Sequence, residues 1–232
     1  MNNSKTYKPE KTNNPNMIPG DPQGSPDESF LNKFKSTLVF IDEAFLSKLS
    51  KYLGSGKYLK FDRITFPKNI AKKQNLNCIQ AFYYIAPPFQ SENSTKEEEE
   101  RKKGYDNFIN ELLKNKDIII REGRCQRLKN KEFEFVFKQK AVDILLTIDL
   151  MQIPLKYPNI KKIILISSDS DFVPVIETLK GLNIETILYT YYEKGRNAKF
   201  STSNELIKSV HKYALLTKSD FENAPLKKEE VK

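Results

Sequence analysis

Short, continuous apolar runs are the feature of this sequence that most limits its fold. The clearest are TLVFI at Thr37–Ile41 and IILIS at Ile163–Ser167, and both are shorter than an ordinary helix. Because neither run alternates with polar residues, both predict strands that are buried on two faces, as in a parallel sheet covered by helices. Stretches with helical spacing, such as Glu43–Leu53, separate the predicted strands. We therefore predict an α/β fold, a three-layer α/β/α sandwich with a mostly parallel central sheet.

The two ends of the chain differ in composition from its middle. Residues 1–30 are rich in proline, asparagine and lysine, with almost no large apolar side chain before Phe30, so we expect a disordered tail. We expect the folded domain to span residues 31–217. Residues 218–232 end in LKKEEVK, and we expect them to form a flexible C-terminal tail.

Composition excludes several classes of function. The chain has one histidine, which argues against Ser-His-Asp hydrolysis and two-histidine zinc chemistry, and it has neither a dinucleotide-binding nor a P-loop glycine motif. No apolar run is long enough for a membrane span, the N-terminus lacks the apolar core of a secretory signal, and only two cysteines occur. We therefore expect a cytoplasmic protein. The net charge of +9 indicates a polyanionic partner such as nucleic acid, although a merely lysine-rich surface gives the same charge.

Aspartates follow the predicted strands at the position where open α/β sheets bind their ligands. Asp42 comes directly after TLVFI, Asp169 and Asp171 come after IILIS, and these three are joined by Asp143 at the start of another predicted helix. If the strands are neighbours, the carboxylates meet at one edge, and a divalent cation such as Mg²⁺ would relieve their repulsion. Such an ion activates a water against a phosphodiester without a histidine. Alternatively, each aspartate simply caps a helix.

Three segments of the chain resemble the signature segments of the NYN domain, most closely those of the LabA-like branch of the PIN-like nuclease superfamily. They are VFIDEAFL at Val39–Leu46, KAVDILLTIDL at Lys140–Leu150 and IILISSDSDFVPVIETLKG at Ile163–Gly181, in the order and spacing of the family. The SxDSDF turn before a proline-containing helix is the most specific of these features. The resemblance covers most of the folded chain. It implies a PIN-like α/β/α fold, an acidic site dependent on Mg²⁺ or Mn²⁺, and often ribonuclease activity.

The resemblance assigns roles to particular positions. The family's catalytic, metal-binding carboxylates correspond to Asp42, Asp143, Asp169 and Asp171. The lysine of the second segment corresponds to Lys140, which is expected to bind an RNA phosphate. A further recurrent aspartate corresponds to Asp149. It lies about 240° around a helix from Asp143, so we expect it to support the site from behind the metal ligands.

Several residues outside the aspartate cluster also have chemistry that suggests a role at the site. Arg121 and Arg124 belong to the segment REGRCQR, and because the arginine fork suits phosphate, we expect them to bind RNA; the alternative is a solvated hairpin loop. Ser168 replaces a glycine of the family and is expected beside the RNA phosphate. Glu43 follows the first aspartate and either supports the site or starts the helix. Phe45 replaces the asparagine that many NYN domains carry.

Two functions follow from these residues. The first is a divalent-metal-dependent ribonuclease that hydrolyses RNA phosphodiester bonds at the aspartate cluster. The second is a non-catalytic regulatory module that binds RNA or a protein, which the replacements at Phe45 and Ser168 favour. The sequence leaves open whether the chain forms a homo-oligomer or binds a protein partner.

Overall fold

A six-stranded parallel sheet forms the centre of the molecule. The computed structural model describes residues 34–129, 134–195 and 199–226, so the N-terminal tail expected at residues 1–30 lies outside the described residues. The strands in chain order are β1 (Lys35–Asp42), β2 (Leu76–Ile85), β3 (Ile118–Glu122), β4 (Arg124–Lys129), β5 (Phe135–Lys140), β6 (Lys162–Ile166), β7 (Glu185–Thr190) and β8 (Lys212–Leu215). The sheet has the order β3-β2-β1-β6-β7-β8, and β4 and β5 form a separate antiparallel hairpin.

Helices cover both faces of the sheet, which confirms the predicted α/β/α sandwich. One face packs against α1 (Glu43–Leu53), α2 (Thr65–Lys73), α3 (Lys96–Leu113) and α8 (Lys218–Glu222). The opposite face packs against α4 (Val142–Met151), α5 (Ile153–Lys156), α6 (Val173–Gly181) and α7 (Asn204–Ser209).

Strand β1 shows why its sequence is continuously apolar. Val39 and Ile41 point into the core on one face of the sheet, whereas Leu38 and Phe40 point into the core on the other. All four side chains are fully buried. Because successive side chains of a strand alternate between faces, a strand covered on both sides needs apolar residues at consecutive positions.

The chain leaves the neighbouring strands β1 and β6 in opposite directions. Strand β1 continues through α1 and α2 to β2 on one face, and β6 continues through α6 to β7 on the other. The two strands pair in parallel with Ile41 beside Ile166, so their carboxyl ends lie side by side. In open α/β sheets such a reversal opens a crevice beyond the strand ends, and this crevice is where ligands bind.

The sequence near Asn204–Leu215 predicts a helical stretch, but in the structure this segment is divided. Helix α7 ends at Ser209, and Lys212–Leu215 instead forms the edge strand β8, which pairs with β7. The backbone N–H of His211 donates to the carbonyl of Thr186, so hydrogen bonds to the sheet replace those of a continuing helix.

Ordered structure continues beyond the domain boundary expected at residue 217. Helix α8 buries Phe221, whose ring centre lies 5.0 Å from that of Phe61 and 5.3 Å from that of Phe66. A capping box between Thr217 and Asp220 begins this helix. The sequence did not predict this helix because the segment is mostly charged and polar, with Phe221 as a single large apolar side chain. Residues 227–232 lie outside the described residues.

Candidate active site

Asp42 stands at the carboxyl end of β1, in the crevice beside β6. Its Oδ1 atom accepts a hydrogen bond of 3.1 Å from the backbone N–H of Phe45, so Asp42 is the N-cap of helix α1. Its Oδ2 atom accepts from the hydroxyl of Ser167 at 3.3 Å. The side chain is therefore held by the first turn of α1 and by the residue that follows β6.

Ser167 joins the ends of the two strands. Its fully buried hydroxyl donates to Asp42 and accepts from the backbone N–H of Asp169 at 3.2 Å. The Oδ1 atom of Asp169 in turn accepts from the backbone N–H of Asp171 at 2.9 Å and caps the short 3-10 helix Ser170–Phe172. Sequence reasoning passed over Ser167, although the signal was present as the hydroxyl residue that ends the apolar run IILIS.

The first turn of α4 brings Asp143 to the same edge of the sheet. The chain enters this helix through Ala141, whose φ of 68° is a conformation that glycine adopts more readily. The sharp turn allows α4 to start directly after the hairpin strand β5.

The pKa shifts of two aspartates show that Asp143 interacts electrostatically with each of the other three carboxylates. Burial raises the pKa of Asp42 to about 6, and the charge of Asp143 also raises it. Burial likewise raises the pKa of Asp143, followed by the charges of Asp169 and Asp171. Because charge interactions fall with distance, this coupling means that β1, α4 and the turn after β6 present their carboxylates to a common region.

A cavity of about 670 Å³ opens at this acidic edge. Asp42 and Asp169 line it together with Ser168, Lys48 and Lys199. Although the chain carries a net charge of +9, none of the four aspartates forms an ion pair with a basic side chain in the described part of the chain. Within the described residues, no basic side chain therefore lies within ion-pair distance of these carboxylates.

The donor atoms of the cluster are of the kind that Mg²⁺ and Mn²⁺ bind. Carboxylate and hydroxyl oxygens are hard ligands, and carboxylates with no cationic partner suit a divalent ion. However, across residues 34–129, 134–195 and 199–226 no three His, Cys, Asp or Glu side chains come close enough together to hold a metal ion. The chemistry of the residues fits a metal, whereas their spacing is wider than that of a closed coordination shell.

Arg121 and Asp149 lie in a separate cluster. The guanidinium of Arg121 donates two hydrogen bonds, of 2.7 and 2.6 Å, to the buried carboxylate of Asp149. The hydroxyl of Tyr84 donates to the same carboxylate at 2.9 Å. Because this pair engages its guanidinium, Arg121 has a structural partner in place of the phosphate expected from the sequence.

Glu43 and Phe45 are buried beside the acidic edge, where Phe45 also lines the cavity of Asp42 and Asp169. The Oε1 atom of Glu43 accepts from Arg63 and from Ser47, both at 2.7 Å, and the side chain is buried. The ring of Phe45 is buried edge-on against Phe200, with ring centres 6.4 Å apart. The position where many NYN domains carry an asparagine is thus part of the hydrophobic core in this chain.

The arginine-rich segment covers the end of β3, which includes Arg121, and the start of β4, the first strand of the hairpin. Arg124 pairs in register with Lys140 across the two strands, and both side chains are exposed. From the sequence alone, the alternative to phosphate binding for this segment is a solvated hairpin loop. Arg124 and Lys140 therefore remain accessible to a phosphate, as does Ser168 in the cavity wall.

Comparison with known proteins supports a family assignment. In the described ranges, no helix is both long and apolar enough to span a bilayer.

No curated protein matches this sequence. The structure is similar to the crystal structure of a protein of unknown function from Vibrio parahaemolyticus, with a TM-score of 0.50, 15% sequence identity, and coverage of 82% of this chain and 97% of that one. At this identity the likeness concerns the fold alone. The family model of the NYN domain matches residues 36–217, and the chain therefore belongs to the NYN family of the PIN-like nuclease superfamily.

Proposed function

We propose that this protein is a divalent-metal-dependent ribonuclease that hydrolyses phosphodiester bonds of RNA in the cytoplasm. We assign it to the LabA-like branch of the NYN family on the motif resemblance. The observation that carries the proposal is a group of four aspartates around the crevice between β1 and β6, electrostatically coupled and without basic partners in the described residues.

In this proposal Asp42, Asp143, Asp169 and Asp171 would hold Mg²⁺ or Mn²⁺. When bound, such an ion polarises the phosphodiester and lowers the pKa of an attacking water. Ser167 supports this arrangement because its hydroxyl fixes Asp42 relative to the turn that carries Asp169.

Basic side chains around the aspartates complete the proposed site. Lys48 and Lys199 line the same cavity and would attract a phosphate towards the carboxylates. Lys140 and Arg124 are exposed on the hairpin, where they would bind phosphates further along the RNA. The net charge of +9 favours association with RNA over its whole length.

A non-catalytic module that binds RNA or protein is the second candidate. The observation that favours it is the burial of Phe45, which leaves no amide where many NYN domains present one to the site. Such a module would bind its partner equally well with and without a metal chelator, and the substitution Asp169→Asn would not change its affinity.

The test is cleavage of labelled RNA in the presence of Mn²⁺ or Mg²⁺ by the wild type and by Asp169→Asn. Asparagine caps a helix as well as aspartate does, so this variant keeps the turn while losing one charge. The control is Asp106→Asn, an exposed aspartate that pairs with Lys102 on α3. We expect Asp169→Asn to lower the rate by about 100-fold and the control to leave it unchanged. Equal activity in all three proteins, or no cleavage of any of several RNAs, would contradict the proposal.

A further inference from the structure

The hairpin β4–β5 carries aromatic and basic side chains on one of its faces. In register, Arg127 lies opposite Phe137 and Lys129 lies opposite Phe135, and Gln139 belongs to the same face. Phe135 is 55% exposed and Phe137 is 51% exposed. Two large apolar side chains exposed side by side mark a surface for interaction, because single scattered ones are far more usual.

The rings on this face are held in place. The guanidinium of Arg127 lies 4.5 Å from the ring centre of Phe135 and 4.9 Å from that of Phe89. Phe89 in turn packs against Phe137, with ring centres 5.6 Å apart. The contacts fix the rings while about half of each phenylalanine stays open to solvent. Fixed aromatic surfaces interleaved with arginine and lysine are what stack unpaired bases and neutralise their phosphates.

This face is connected to the aspartate site by the walls of a groove along α1. Gln139 lines a cavity of about 1170 Å³ together with Lys48, Lys51 and Tyr58. Lys48 also lines the cavity of the aspartates. Among the described residues, neither Lys48 nor Lys51 has a carboxylate within ion-pair distance.

We propose that an unpaired strand of RNA runs from the aspartates across α1 to the hairpin. Its phosphates lie against Lys48 and Lys51, and a base stacks on the exposed surface of Phe135 and Phe137. The identity of the strand as RNA rests on the proposed function. A duplex does not fit this surface because its bases are stacked on one another and present no free ring face. The hairpin surface is therefore selective for unpaired RNA.

The test is fluorescence anisotropy with the full-length protein in the presence of a chelator. Two labelled probes are used: an unstructured RNA of about 20 nucleotides and a duplex of the same length. The single strand is long enough to contact both the aspartate site and the hairpin of one protein molecule. The double variant Phe135→Ala/Phe137→Ala should bind the single strand about tenfold more weakly, with unchanged affinity for the duplex. The control is Leu182→Ala, an apolar residue that is 47% exposed at the end of α6 and should bind as the wild type does.

Three outcomes would overturn the inference: no binding of the single strand by the wild type, unchanged affinity in the double variant, or an equal loss of affinity for both RNAs. Unchanged affinity would point to a protein as the partner of the hairpin. If the double variant loses affinity while no protein cleaves RNA, the proposed function fails and the strand path stands. If Asp169→Asn loses cleavage while the double variant binds normally, only the strand path fails.

Discussion

At the residue scale, Asp42 and Asp169 have two tasks that the sequence presented as alternatives. Each uses its Oδ1 atom to cap the backbone that follows it. The Oδ2 atom of Asp42 accepts only the longer hydrogen bond from Ser167. Helix capping therefore accounts for one oxygen of each aspartate, and the same side chains still face a cavity. Capping and ligand binding do not compete for the same atoms.

The raised pKa of Asp42 predicts a conflict between stability and the proposed activity. Its folded-state pKa is about 6, against a usual value of 3.8, so the folded protein holds this proton more tightly than the unfolded chain. Stability from this group falls as pH rises from 4 to 6, and above pH 6 the buried charge destabilises the fold. In a chelating buffer, Asp42→Asn should raise the free energy of unfolding at pH 7 by up to about 3 kcal/mol.

Urea denaturation at two pH values checks this prediction. At pH 4 most of the gain should disappear, because the carboxyl group is then largely protonated in the folded protein. Asparagine keeps the cap of α1, so loss of the cap does not obscure the result. A variant less stable than the wild type at pH 7 would show that Asp42 is not a strained charge.

At the element scale, α4 connects the acidic edge to the rest of the sheet. Its first turn carries Asp143 towards the other aspartates. Further along, Asp149 is tied to Arg121 on β3 and to Tyr84 on β2. These contacts fix the position of the helix on the sheet, so they determine where Asp143 lies without touching the site.

Removal of the arginine from this cluster should destabilise the protein. Arg121→Ala leaves the carboxylate of Asp149, which is only 5% exposed, without its charge partner. We expect a loss of about 2–3 kcal/mol in the free energy of unfolding. This is less than the loss for a fully buried ion pair, because the arginine side chain is 38% exposed and water already screens its charge. Chemical denaturation measures it.

The matched control is Arg124→Ala on the exposed hairpin strand. It should leave the free energy of unfolding unchanged and weaken RNA binding, whereas Arg121→Ala at a temperature where it remains folded should bind RNA with normal affinity. Weaker binding by folded Arg121→Ala without a loss of stability would restore the phosphate contact that the sequence predicted for Arg121.

At the scale of the whole molecule, the sequence predicted those features that depend on the order of residues along the chain, namely the buried strands and the residues that follow them. Buried parallel strands require apolar runs, and the residue after such a strand lies at the ligand-binding edge, so the location of Asp42 and Asp169 followed from IILIS and TLVFI. Partners brought together by packing could not be predicted in this way. Arg121 finds Asp149 only because β3 lies against α4, and Arg63 finds Glu43 only because the segment after α1 folds back onto its start.

The edge strand and the final helix were missed for a related reason. Strand β8 (KYAL, 4 residues) and helix α8 (KSDFE, 5 residues) are too short for either sequence to show a clear period of its own. Each forms because an existing surface receives it: β8 pairs with β7, and Phe221 fills a space between aromatic rings. Tertiary contacts decide such elements, and local patterns do not reveal them.

In the proposed function, four aspartates from distant parts of the chain act together as one divalent-metal site. Calorimetric titration with Mn²⁺ tests it most directly, using the wild type, Asp143→Asn and the surface control Asp106→Asn. We predict saturable binding by the wild type and the control, and binding weakened by about tenfold or more in Asp143→Asn. Absence of binding by the wild type, or equal affinity in all three proteins, would contradict the claim.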